Sequence, residues 1–320
     1  MRSALVVVLC LAVLGGCAHV DVARFSTAEV VRDPDRVTLH WQGLPLASGQ
    51  ILINEKPTAS TLFISLIGAE PKPFVHAGII AIEQGEAWVY EAMGIAMPRL
   101  SGRPNERMRG GIRRVRFASF IGRGGIMAIH EPPAGTDPQR LVDFARLHAA
   151  RRTGFDGYFD ARDAERFYCI EFIARGIEAA GGPTPSFTAV QRHDSLDVAL
   201  KWLRIDAPQL WLASDVVDPQ RRIALLSPTL TAAQINAWFA MRQELHRRFT
   251  PALRLGALFE WRMQSIHYRP AVARYLDAGL AAALAEPERW LRDAAGLAAL
   301  HAEREFGAPS PSQHWTAAQR

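Results

Sequence analysis

The chain has 320 residues, 49% of them hydrophobic and 22% charged, so it can bury a sizeable core in one large domain or two modest ones and is too apolar for a disordered tail. Three cysteines in that length exclude a disulfide scaffold. The formal charge of +5 is carried almost wholly by arginine, since Lys56, Lys72 and Lys201 are the only lysines, and it reads as genome composition before it reads as nucleic-acid binding.

Residues 4–14 (ALVVVLCLAVL) follow the basic Arg2 and form an apolar run that fits a signal-peptide core and is too short to cross a bilayer. Leu14-Gly15-Gly16-Cys17 comes next and resembles the bacterial lipobox. That resemblance implies cleavage before Cys17, acylation of its sulfur and new amine, and attachment to a membrane through an N-terminal lipid anchor, each buried methylene contributing about 0.8 kcal/mol. No Asp follows Cys17, so the expected address is the outer membrane, facing the periplasm. Cys10 is then discarded and Cys17 lipidated, which leaves Cys169 without a partner in the chain: either a reactive thiol or one that pairs between molecules.

After a polar leader over 18–40, Gln50–Ile53 reads as a strand behind the turn-forming Ser48-Gly49, and Thr61–Ile67 fits helix or strand equally. His76–Ile82 and Ala87–Ala92 flank Glu83-Gln84-Gly85-Glu86 and predict a β-hairpin. Strands are expected at Ile112–Phe117 and Gly125–Ile129, and a helix over 138–152 with Leu141, Phe144, Ala145 and His148 on one face. Gly154–Asp160 is a turn-rich loop, and a helix from Cys169 to Ala180 ends at Gly181-Gly182-Pro183. Trp211–Leu226 suggests a final strand pair. From Thr231 the pattern is helical, with Leu253, Ala257, Leu258 and Trp261 continuing one stripe.

A thiol at a helix N-terminus beside an imidazole is set up as a nucleophile. Cys169 meets the first condition, and His76 opens the strand that could meet the second. With the hairpin turning at Gln84-Gly85, residue 76 lies opposite 93 and Glu91 is its diagonal neighbour on the same face, able to accept the second imidazole N–H. A shift of one residue would turn Glu91 to the other face. The bland alternatives are a buried core thiol and a solvated strand-end carboxylate. Glu171, two residues past the cysteine, reads as structural.

Phe74-Val-His76-Ala-Gly-Ile-Ile, Val89-Tyr-Glu91-Ala and Tyr168-Cys169-Ile-Glu171-Phe-Ile, in that order, resemble the three motifs of the permuted papain-like hydrolases of the NlpC superfamily, the YiiX-like group. Ser48-Gly-Gln-Ile-Leu-Ile and Gly154-Phe-Asp-Gly-Tyr-Phe resemble that group's leading strand and its loop before the cysteine, so the likeness spans roughly 45–215. It implies an α+β, circularly permuted papain-like fold, an antiparallel sheet packed against the cysteine-bearing helix, with a helical C-terminal extension. It also implies Cys169 as nucleophile, His76 as base and Glu91 as orienter, acting on a peptide or amide bond in peptidoglycan or on a lipid. Gln50 stands where the group has Asp, and Ile170 where Ser commonly follows the cysteine. The expected organisation is a signal peptide (1–16), a lipid-anchored leader (17–40), the catalytic domain (41–226) and a helical region (227–320).

Arg99–Arg123 holds eight arginines against one glutamate, either a solvated strand edge or an anion site in which Arg113, Arg114 and Arg116 are the candidates. Residues 242–274 carry seven arginines and two glutamates. The scattered His130, His148 and His193 and the lack of HExxH or CxxC spacing give no support to a metal, and no cofactor or nucleic-acid partner is implied. The oligomeric state is not legible.

Overall fold

The computed structural model describes residues 28–308 except 34–35, 42, 69–71, 96–108, 164, 192–195, 198–199, 202–204, 250–254 and 263–264. The expected signal peptide, the lipobox Cys17, and Arg99, Arg103 and Arg107 lie outside the described residues.

The chain is α+β. Strands β1 (Ala28–Asp33), β2 (Arg36–Trp41) and β3 (Leu44–Ala47) form an antiparallel meander, so part of the segment read as a polar leader is strand. The period-2 order of Val37, Leu39 and Trp41 carries that signal, masked in composition by Arg32, Asp33, Asp35 and Arg36. The next elements are β4 (Ile51–Glu55), α1 (Ala59–Ser65), β5 (His76–Glu83), β6 (Glu86–Ile95), β7 (Arg109–Arg116), α2 (Phe117–Ile121) and β8 (Ile126–His130). They are followed by α3 (Pro138–Ala150), β9 (Gly154–Phe155), β10 (Arg166–Phe167), α4 (Cys169–Ala179), β11 (Thr188–Ala189), β12 (Gln209–Leu210) and β13 (Arg222–Leu226). The chain finishes with α5 (Ala232–Phe249), α6 (Leu255–Leu258), β14 (Phe259–Arg262), β15 (Ser265–Tyr268), α7 (Pro270–Ala285) and α8 (Pro287–Phe306).

Eight strands form the main sheet in the order β10-β9-β7-β6-β5-β4-β8-β13, antiparallel except for the short β9–β10 pair. The expected strand pair in Trp211–Leu226 does not form: β12 pairs with β11, and β13 joins the edge of the main sheet beside β8. Two 3-10 turns, Ala213–Asp215 and Pro219–Arg221, separate them.

Alternation along the central strands gives the sheet two apolar faces. Leu52, Ile80, Val89 and Met127 meet α2 through Phe117 and Phe120. Ile51, Ile53, Ile79 and Ala81 point the other way, into a larger cluster with Phe172, Ile173 and Ile177 of α4 and with Trp238 and Met241 of α5. Helix α4 closes with two bonds, from Gly182 N–H to Ile177 C=O (2.9 Å) and from Gly181 N–H to Glu178 C=O (3.0 Å), with Gly181 at φ +80°.

The described residues of 232–306 are mainly helical, with one difference from the expectation. Trp261, read as part of a helical stripe, lies in the β14–β15 hairpin, where Phe259 meets Phe63 of α1 edge-on at 5.7 Å. Four apolar residues at near-helical spacing are too few to override the strand preference of short aromatic segments. Helix α5 docks through a buried ion pair of Arg242 with Glu55, while Trp238 Nε1 donates to the same carboxylate at 2.9 Å. Arg242 also donates to the carbonyls of Pro73 (3.2 Å) and Lys72 (3.4 Å), just ahead of β5.

Candidate active site

Strands β5 and β6 are joined by Gln84 and Gly85, both at positive φ (53° and 80°), the two-residue turn whose twist suits a tight hairpin. The register runs from Glu83↔Glu86 to Ile79↔Tyr90, and its continuation sets residue 76 against 93. Glu91 is thus diagonal to His76 on one face, and His76 Nε2 lies 2.7 Å from Glu91 Oε2.

Glu91 is fully buried and holds two further cations. Arg113, directly across from it on β7, donates through Nε to Oε1 at 2.9 Å. Arg123, just past α2, donates through one nitrogen to both oxygens, at 2.8 and 3.0 Å. Burial works to raise the Glu91 carboxyl, but the bond to His76 and the charges of His76 and Arg123 outweigh it and hold the group down at about 2. Phe120 stacks on the imidazole at 6.0 Å and 10°, and the Arg123 guanidinium covers the Phe120 ring at 5.1 Å. Sequence reading missed Arg123 and Phe120, because their partners lie 32 and 44 residues away with no local pattern to announce them.

Cys169 opens α4 and is 9% exposed, and its Sγ lies 3.7 Å from the carbonyl of Val75. Because His76 is the first residue of β5, the thiol meets the imidazole around the start of the strand. Burial alone would lower the imidazole; the charge and hydrogen bond of Cys169, then those of Glu91, push it up to about 9. Glu91 occupies Nε2, so Nδ1 is the nitrogen left for the sulfur. The arrangement can take a proton from Cys169 and hold it on an oriented imidazole. The N-cap Tyr168 makes no side-chain cap bond, so the first-turn amides of α4 are left for another acceptor.

Glu171 is fully buried, with Arg175 at 3.6 Å; burial pushes its carboxyl up to about 8, opposed by the Arg175 charge. The loop before β10 is held by Asp156, which accepts from the amides of Tyr158 (2.8 Å) and Asp160 (2.6 Å). In that loop Phe159 takes φ +55°, an uncommon conformation for a bulky residue, and packs 5.0 Å from Tyr168.

Of the two departures from the expected motifs, Gln50 immediately precedes β4 and Ile170 directly follows Cys169 in α4. Gln50 sits at the opposite end of β4 from Asn54, the partner of His76; it accepts from Ala47 N–H (2.9 Å) and donates to Glu131 (3.1 Å). The Ile170 side chain is buried in the core. Of the three candidate anion ligands, Arg113 belongs to the Glu91 cluster. Arg114 pairs with Glu83 at 2.6 Å and covers Trp88 at 4.0 Å, and Arg116 pairs with Glu86 at 3.4 Å, so the three do not converge.

No family model matches the chain, and no curated protein matches it in sequence. Among solved structures it is similar to the metalloprotein YiiX from Escherichia coli O157:H7, with a TM-score of 0.42 and 15% identity, over 56% of this chain and 95% of that one. The word metalloprotein describes that neighbour. Among the described residues of this chain, no group of three or more His, Cys, Asp or Glu side chains is placed to hold a metal ion.

Proposed function

We propose that this chain is a cysteine hydrolase of the bacterial envelope, with a permuted papain-like fold of the NlpC type, that cleaves an amide or peptide bond, the leading candidate being one in cell-wall peptide. The observation that carries this reading is the 2.7 Å bond from His76 Nε2 to a buried Glu91 carboxylate, with the other imidazole nitrogen left for a thiol at a helix start. The strand bearing His76 precedes the helix bearing Cys169, the order that the motifs imply for the permuted group. The lipid anchor at Cys17 and the outer-membrane address rest on residues 2–17. Among the described residues no helix is long and apolar enough to cross a membrane.

In this mechanism His76 accepts the Cys169 proton and the sulfur attacks the carbonyl carbon, forming a C–S bond. The oxyanion is met by the Cys169 amide at the start of α4. The C–N bond breaks as the leaving amine takes the proton from His76. Water, deprotonated by His76, then cleaves the acyl-enzyme, and the sulfur departs as thiolate and recovers its proton. Glu91 keeps the imidazole in the required tautomer throughout.

Two measurements test this reading. A small thiol-reactive electrophile should modify Cys169 rapidly, and more slowly in His76→Ala; labelling only after denaturation would reject the enzyme in favour of an inactive scaffold. Incubation with purified peptidoglycan and with phospholipid vesicles, followed by mass analysis, should release peptide fragments; turnover of lipid alone would assign a lipid-directed amidase, esterase or acyltransferase instead.

A further inference from the structure

The cluster around Glu91 holds more positive charge than a catalytic orienter needs. One buried carboxylate is shared by His76, Arg113 and Arg123, and two of these three are always cationic. Neither guanidinium is buried with its carboxylate: the Arg113 side chain is 47% exposed and that of Arg123 25%. Among the described residues the hydrogen bonds of the two guanidiniums all go to Glu91, from Nε of Arg113 and Nη1 of Arg123, and Arg113 Nη2 makes an ion-pair contact with Oε1 at 2.9 Å. Nη1 of Arg113 and both Nε and Nη2 of Arg123 make no hydrogen bond among the described residues. The Phe120 ring and the Glu91 anchor order the Arg123 fork in advance, which reduces the entropy lost when it takes a ligand.

We propose that Arg113 and Arg123 form an anion subsite on the far side of His76 from the sulfur, which receives a carboxylate or phosphate of the substrate while its reactive carbonyl lies at Cys169. Arg114 and Arg116 take no part, since Glu83, Glu86 and Trp88 occupy them. The subsite rests on Cys169 and His76 being the reacting pair. It narrows the substrate class to molecules with an anionic oxygen group several bonds from the bond cleaved, because the guanidiniums stand one imidazole ring and one carboxylate beyond the thiol.

The test uses reagents that span this gap. Labelling of Cys169 is timed with N-bromoacetyl-β-alanine, with its uncharged amide, and with N-bromoacetyl-aminoethyl phosphate. The anionic reagents should react roughly tenfold faster than the amide at low salt, as expected for charge-assisted bonds to an arginine fork, and the advantage should shrink as salt rises. Arg113→Gln should reduce the anionic-to-neutral ratio severalfold, and so should Arg123→Gln. Iodoacetate and iodoacetamide are too short to reach the arginines, so their ratio should stay unchanged in the Arg113 variant. Whichever anionic reagent gains more identifies the group as carboxylate or phosphate.

Binding of unreactive N-acetyl-β-alanine, N-acetyl-aminoethyl phosphate and N-acetyl-β-alanine amide, followed at the arginine Nε resonances by NMR, reads the subsite without the thiol. Rapid labelling with no charge preference and no anion-dependent resonance shift overturns the subsite and leaves the catalytic pair standing. Anion-dependent shifts with an inert Cys169 support the anion site and reject the hydrolase reading, and absence of both rejects both.

Discussion

Glu91 holds three cations with two oxygens, and its removal should therefore be felt in more than one place. Glu91→Gln keeps the side-chain shape and loses the charge that favours the imidazolium. The His76 titration should move down from about 9, and the proposed peptide-bond cleavage should fall by about 10²-fold or more, measurable by imidazole NMR and by fragment release. The same groups set opposite ends of the stability profile. His76 is raised from 6.5 to about 9, so its contribution is complete below pH 6.5 and is lost as pH rises through 9. Glu91 is lowered from 4.5 to about 2, so its contribution is present above pH 4.5 and is lost as pH falls toward 2. Urea midpoints across pH should show both declines, and His76→Ala should remove the alkaline one. The pairing of residues 76 and 91 could be read only on the condition that the hairpin turns at Gln84-Gly85, since a shift of one residue would turn Glu91 to the other face. Arg123 was not, since contacts across a fold have no period in sequence.

At the level of elements, the β5–β6 turn carries a non-glycine residue at φ 53°, where Asn is better accommodated. Gln84→Asn should stabilise the fold by about 0.5 kcal/mol without altering thiol reactivity, as read by urea denaturation and alkylation rate. Gly49, at φ 85°, lies where an added Cβ would be 2.5 Å from Pro138 Cβ. Gly49→Ala should therefore cost about 2 kcal/mol or more by forcing α3 away from the start of β4. The tie between β4 and α5 is ionic and buried. Burial, opposed by Arg242, pushes Glu55 up to about 7, so its effect on stability is absent below pH 4.5 and becomes a penalty as pH rises from 4.5 to 7. Arg242→Met should destabilise by about 3–5 kcal/mol, whereas Glu55→Met combined with Arg242→Met should cost much less, because the single change strands a buried carboxylate. Strands β4 to β8 and helices α3 and α4 could be read from alternation, turn residues and caps. The β14–β15 hairpin and the partner of β13 could not, because short apolar segments fit either period and pairing at a sheet edge is decided by the rest of the fold.

Across the whole molecule, the face of the sheet that receives α4 shares one apolar cluster with α5, α7 and α8. Loss of the helical region would expose that face, so a chain ending at residue 226 should bind a hydrophobic dye and lose rapid thiol labelling, and the intact chain should unfold with coincident fluorescence and circular-dichroism transitions. The separations involved also give the molecule an order of assembly. His76 and Glu91 lie 15 residues apart on one hairpin, whereas Glu55 waits for Arg242 across 187 residues. Hairpins close in microseconds, and contacts of long separation come late. The His76–Glu91 contact can therefore form early, within its hairpin, and the Glu55–Arg242 contact only later. The Lys72 and Pro73 carbonyls, three and two residues before the Val75 carbonyl that faces the sulfur, are gripped only when α5 arrives. The backbone that faces the Cys169 sulfur is therefore held in place only once α5 has docked, so the surroundings of the thiol are completed by contacts between residues far apart in the chain.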